Sequence, residues 1–226
     1  MKGLLYKDWT MIFGGYKTNF LFLLLFYGVF TVLCRISFLS YALVFVLGMY
    51  ASSTISMDEN SHWDAYARTL PVTPGQLVSA KYCLTLLLTA VSIPLGFLMT
   101  LLIPDPKPAL LEITTGMFSA AAVTLLYLSF VMPLSYRFGA AKARSWVSVT
   151  IFVVIFLPAA FLMVFKDDLS NPAVRAVRAL AQQMDASSLS NEQWAALLLG
   201  VLLGAALVCF AVSWVVSIQI YRRKNY

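Results

Sequence analysis

Residues 20 to 57 form a nearly unbroken apolar run, interrupted only by Arg35 and a few polar side chains. As one helix it would be roughly 57 Å long at 1.5 Å per residue, against a bilayer core of about 30 Å. The run therefore has to fold back on itself, and Arg35 marks the turn. Four more apolar runs follow, so six spans are expected at 18–35, 36–57, 81–103, 113–136, 145–165 and 194–220. Composition agrees. The chain of 226 residues is 61% hydrophobic and 12% charged, about half the charge of a soluble domain. The first run is too long for a signal-peptide core and has no small-residue cleavage site behind it, so it is expected to remain. The sequence predicts an all-α polytopic membrane protein.

The formal charge of +6 follows membrane topology and calls for no nucleic acid. With the N-terminus inside, the inner set is Lys2, Lys7, Lys17, Arg68, Lys81, Arg137, Lys142, Arg144, Arg222, Arg223 and Lys224. The outer set is Arg35, Lys107, Lys166, Arg175 and Arg178. This asymmetry places both termini in the cytoplasm. Cys34, Cys83 and Cys209 fall in three different spans with no paired spacing, and are expected as buried small apolar residues.

The opening stretch 1–17 alternates Leu4, Leu5, Trp9, Ile12 and Phe13 with Lys2, Lys7 and Asp8. It predicts a helix lying in the inner interface, with Gly14 and Gly15 bending into the first span. Ser52, Ser53, Thr54 and Ser56 end the second span; they suit close helix packing or the lining of a pathway. Pro94, Pro133 and Pro158 should each remove a backbone hydrogen bond within a span. Loop 104–112 is a tight outer connection. Segment 166–193 predicts an outer amphipathic helix, and Ser190 with Gln193 caps the last span. Gly200 and Gly204 stand in GxxxG spacing, which predicts a close-packing face.

One polar island, residues 58 to 81, breaks the apolar pattern: DENSHWDAYARTLPVTPGQLVSAK. Ser61 and Asp64 have capping-box spacing, so a short helix should start at His62. Trp63, Tyr66 and Leu70 would share its face, and Pro71 should stop it. Thr73 and Gln76 form a second capping box with Pro74 at the first helical position. Such an element suits either the grip of a soluble partner or a rest on lipid headgroups. The basic stretch RFGAAKAR, 137–144, is either a second inner contact or a plain positive-inside loop.

Catalytic chemistry is missing from the sequence. His62 is the only histidine, which excludes a multi-histidine metal site. His62 and Asp64 stand two apart on a helix and point in different directions. There is no nucleophile elbow and no phosphate loop. No span has an ionisable residue near its middle, which disfavours an ion-driven transporter. If the chain moves a solute, the energy must come from a separate ATPase, and that subunit needs a docking element. The candidates are Asp58, Glu59, His62, Trp63, Tyr66, Arg68, Leu70 and Pro71 in the island, with Arg137, Lys142 and Arg144 as a second contact. The alternative is a non-transporting membrane scaffold or sensor that binds a cytoplasmic protein through the island.

The island also carries a resemblance. Asp58 and Glu59, then Trp63, the turn Leu70-Pro71-Val72, and Ser79, Lys81 and Tyr82 resemble the most characteristic stretch of small six-span ABC-2 type permeases. The opening MKGLLYKDW is similar to the Lys-Asp interface helix of that group, and the layout covers residues 1–226 as one transmembrane domain. Pro74-Gly75 departs from the basic or polar residues often found there. The resemblance implies an N-terminal interfacial helix (1–17), a cytoplasmic coupling segment (58–80) and an outer amphipathic segment (166–193). It implies a bacterial plasma-membrane exporter of two permeases, identical or different, with two ATPase subunits. The chain itself would hold no cofactor, ATP and Mg being bound by the ATPase. Within the group the likeness is to permeases of phenol-soluble modulin exporters, which implies amphipathic peptides or another apolar cargo. The first, second and fifth spans would line an uncharged cavity at the permease interface.

Overall fold

The structure, a computed structural model, describes residues 2–15, 17–67, 69–104, 109–164 and 191–223. Among these residues it is helical throughout, with no strand. Helix α1 (Lys2–Thr10) passes through a π turn (Met11–Gly15) towards α2 (Lys17–Cys34). The chain reverses at Arg35, whose φ of 57° is the left-handed value a tight reversal requires. Then come α3 (Ser37–Asn60), the short α4 (Trp63–Ala67) and α5 (Pro74–Leu101). Helices α6 (Leu110–Phe138), α7 (Ala140–Val164) and α8 (Asn191–Arg223) complete the bundle.

Five helices, α2, α3, α5, α6 and α8, are long and apolar enough to cross a bilayer. Helix α7 covers the fifth apolar run of the sequence. Residues 166–190, with the expected outer helix and the Ser190 cap of the last span, lie outside the described residues, as do Arg68 and residues 105–108.

The core is built around α6. Leu125, Leu128, Val131 and Met132 on α6 meet Ile55 of α3, Val78 and Tyr82 of α5, and Phe210 of α8. Helices α3 and α6 approach closely because Gly48 has no side chain: a Cβ there would collide with Thr124. Helix α8 buries a single stripe, Ala206, Phe210, Ser213, Ser217 and Tyr221, whose spacing of three to four residues is one helical face. Along that seam Tyr82 Oη hydrogen-bonds both Ser213 and Ser217 at 2.7 Å, and Trp214 Nε1 donates to Ser79 Oγ at 3.0 Å. Helix α2 lies at the edge, with only Thr31 buried. Its Phe22, Leu25, Phe26, Val29 and Leu33 face outward.

Several sequence expectations are corrected. Within the chain Gly200 and Gly204 meet no neighbour, and α8 packs on the bundle through its Ala206 stripe. Cys34 and Cys209 are exposed and Cys83 half-buried; on a face turned to lipid, a thiol gains as much as it does in a core. The stretch 137–144 is a break of one residue, Gly139, between two helices.

Candidate functional site

The first island motif does not form. Ser61 Oγ reaches back to the carbonyls of Met57 and Asp58, at 2.9 and 3.3 Å, and so closes the end of α3. A hydroxyl can satisfy a carbonyl behind it as readily as an amide ahead of it. His62 then takes a left-handed φ of 52°, and α4 starts at Trp63. The second motif forms in full. Thr73 Oγ1 accepts from Gln76 N–H at 3.3 Å, Gln76 Oε1 accepts from Thr73 N–H at 3.0 Å, and Pro74 opens α5.

Helix α3 therefore extends through Asp58 and Glu59 to Asn60; Asp58 is buried in the bundle, while Glu59 is exposed at the helix end. Asp58 belongs to a buried ion quartet. Lys7 Nζ lies 2.7 Å from Asp58 Oδ1 and 3.1 Å from Asp8 Oδ1. Lys81 Nζ lies 2.7 Å from Asp8 Oδ1 and 2.6 Å from Asp58 Oδ2. The side chains of Asp8, Asp58 and Lys81 are all under 10% exposed, at 2%, 9% and 8%. Two ammonium groups and two carboxylates sum to zero, so the knot buries four charges without a net one. It ties α1, α3 and α5 together across 73 residues of sequence. Beside it is a cavity of about 40 Å³ bordered by Trp63, Tyr136 and Tyr221, room for water but not for a solute.

The quartet also reaches α4. Lys7 Nζ sits 4.1 Å from the centroid of the Trp63 ring, a cation–π contact. Trp63 in turn packs on Tyr66, with ring centroids 5.2 Å apart. Tyr66 is 57% exposed. Its neighbours His62 and Pro71 are exposed too. Leu70 lies beyond the end of α4 at Ala67 and is half-buried in the turn, so it does not share the aromatic face.

Glu59 makes a different contact. Its Oε2 accepts the N–H of Ala140 at 2.9 Å and so caps α7. Gly139 has φ 90°, and a Cβ there would come 2.7 Å from Glu59 Oε1. Only glycine meets both demands. Of the second expected contact, Arg137 and Lys142 are exposed, whereas Arg144 turns inward and donates from Nη2 to the Ser52 carbonyl at 3.2 Å. Arg144 borders a cleft of about 470 Å³ between α2, α3 and α7. The three helices match the spans expected to line a pathway, but the cleft is charged, since α7 begins at Ala140 and carries Arg144 into it.

Lys7, Asp8 and Lys81 are the site residues that sequence reasoning missed. The signal was a pair of adjacent opposite charges, Lys7 and Asp8, in the opening amphipathic helix, with Asp58 and Lys81 flanking two other spans. No three His, Cys, Asp or Glu residues are grouped to hold a metal among the described residues.

An all-helical bundle with several membrane-length helices, knotted by ion pairs at one end, defines a multi-pass membrane protein. The chain belongs to the family described as ABC-2 family transporter protein, whose model matches residues 3–222. No curated protein matches the sequence. It is the permease subunit of an ABC transporter.

Proposed function

We propose that α4 is the docking element for a separate ATPase and that the ion quartet carries its motion into the membrane helices. One observation carries this: Lys7 lies against Trp63 while it bridges Asp58 and Asp8. A push on α4 thus reaches α1, α3 and α5 through contacts of 2.6–4.1 Å. The capped start of α5 leaves little slack on the other side of the turn. Tyr66, His62 and Pro71 form the face offered to the partner, Trp63 being its support. Large aromatics are the usual anchors of such contacts.

The rest of the assignment follows from the family and the basic asymmetry of the sequence. This end of the bundle faces the cytoplasm of a bacterial cell. Two permeases work with two ATPase subunits to export a cargo, with amphipathic peptides as the class proposed.

Tyr66→Ala tests docking. It should insert normally, because Tyr66 is exposed and packs on Trp63 outside the membrane-length helices. Loss of an aromatic anchor costs about 2 kcal/mol of docking, roughly 30-fold in affinity. Co-purification with the ATPase should fall accordingly, and transport with it. Full ATPase association and full transport in both Tyr66→Ala and Trp63→Ala would refute the docking role. Specific capture of a partner without nucleotide-binding motifs would favour the scaffold alternative.

A further inference from the structure

We propose that the cleft between α2, α3 and α7 binds the phosphodiester headgroup of an anionic phospholipid, with Arg144 as the anion-binding residue. The proposal does not depend on ATPase docking.

The cleft follows one face of α3. Val46, Met49, Ser53, Ser56 and Asn60 are spaced by three and four residues and all border it. That stripe is about 21 Å long at 1.5 Å per residue. It changes character along its length. Val46 and Met49 at one end are apolar, while Ser53, Ser56 and Asn60 at the other are polar. An occupant that fits has an apolar tail and a polar head, with the head at the end of the bundle that holds the quartet.

Arg144 stands at the polar end. A guanidinium carries five N–H donors in a rigid fork. Here Nη2 donates to the Ser52 carbonyl, and Nε–H is buried with no acceptor. Among the described residues no carboxylate forms an ion pair with Arg144. A half-buried cation bordering a cleft favours an anion there, and the planar fork suits two oxygens of a phosphate. Asn60 offers an amide to the other polar groups of a headgroup.

Depth agrees with a lipid source. Trp146, two residues along α7, is 67% exposed, and tryptophans turned outward on membrane helices concentrate at headgroup level. Basic pockets between membrane helices near that level are known lipid-headgroup seats. A free phosphate would use Arg144 but leave the apolar half of the stripe without purpose.

The test uses the full-length protein in neutral detergent, with bound lipid read by native mass spectrometry. Phosphatidylglycerol should bind at least about 10-fold more tightly than phosphatidylcholine, which is about 1.4 kcal/mol. Arg144→Gln should abolish that preference, Arg144→Lys should restore part of it, and Lys142→Gln should leave it intact. Ser53→Leu fills the cleft and keeps the arginine at position 144. It should reduce binding of both lipids while the unfolding midpoint stays unchanged, which separates a binding defect from a folding defect. Equal retention of the two lipids by the native protein would overturn the proposal, as would undiminished phosphatidylglycerol preference in Arg144→Gln. Displacement of phosphatidylglycerol by millimolar inorganic phosphate would show an anion site blind to the lipid tail, and would overturn the lipid assignment.

Discussion

Lys7 and Lys81 lie at the same end of the bundle as Arg144, but the fold treats them in opposite ways. Each lysine contacts two carboxylates, and the four groups form a closed set with no charge left over. Arg144 contacts one backbone carbonyl and keeps its charge. The carboxylate at the end of α3, Glu59, accepts the N–H of Ala140 instead of pairing with Arg144. Charge that is matched inside the chain holds helices together. Charge that is left unmatched beside a cleft is available to something outside the chain.

The largest effect is expected from breaking the matched set. Lys81→Met leaves Asp8 and Asp58 with one ammonium between them, and an uncompensated buried charge costs about 3–5 kcal/mol. Denaturant unfolding in detergent should show that loss. Adding Asp58→Asn restores neutrality and should recover more than half of it. If the double variant were no more stable than the single one, neutrality would not be what the quartet supplies.

Glu59→Ala should have an intermediate effect. It removes the acceptor at the start of α7, and loss of such a cap costs about 0.5–2 kcal/mol. The same unfolding experiment reads it. A loss as large as that of Lys81→Met would place Glu59 with the quartet instead of outside it.

Arg144→Gln should have the smallest effect on stability, about 1 kcal/mol or less, since one hydrogen bond to a carbonyl is at stake. Its effect on lipid selectivity should be complete. A destabilisation near that of Lys81→Met would erase the contrast between the two kinds of cation.

The membrane helices were legible from sequence because the signal is long and one-dimensional: each apolar run reappears as a helix within a few residues of its expected ends, apart from α5, which starts at Pro74 as its capping box predicted, and α7, which starts at Ala140 inside the expected inner loop. The Ser61–Asp64 motif has the same spacing as Thr73–Gln76 but failed. Ser61 had carbonyls of α3 behind it to satisfy, while Thr73 follows an extended turn and had none. Local spacing does not distinguish the two cases. The pairing within the quartet was not legible, since Lys7 and Asp58 are 51 residues apart and Asp8 and Lys81 are 73 apart. The island was recognised as special, but its acids were assigned to the surface. Only the register of α3 turns Asp58 inward, and that register is set by apolar contacts such as Ile55 against α6.

The quartet also sets an order for biogenesis. Lys7 and Asp8 leave the ribosome first, yet Lys81 trails Asp8 by 73 residues. At about 5–20 residues per second that is a wait of roughly 4–15 s. For that interval Lys7 and Asp8 have each other but neither Asp58 nor Lys81, and the wet interface, unlike the lipid core, can hold such a half-matched pair. The amino terminus must then stay outside the lipid until the hairpin of the second and third apolar runs has been threaded. A segment made before its partners is thereby seated after them, and its closure reports that the segments following it have arrived.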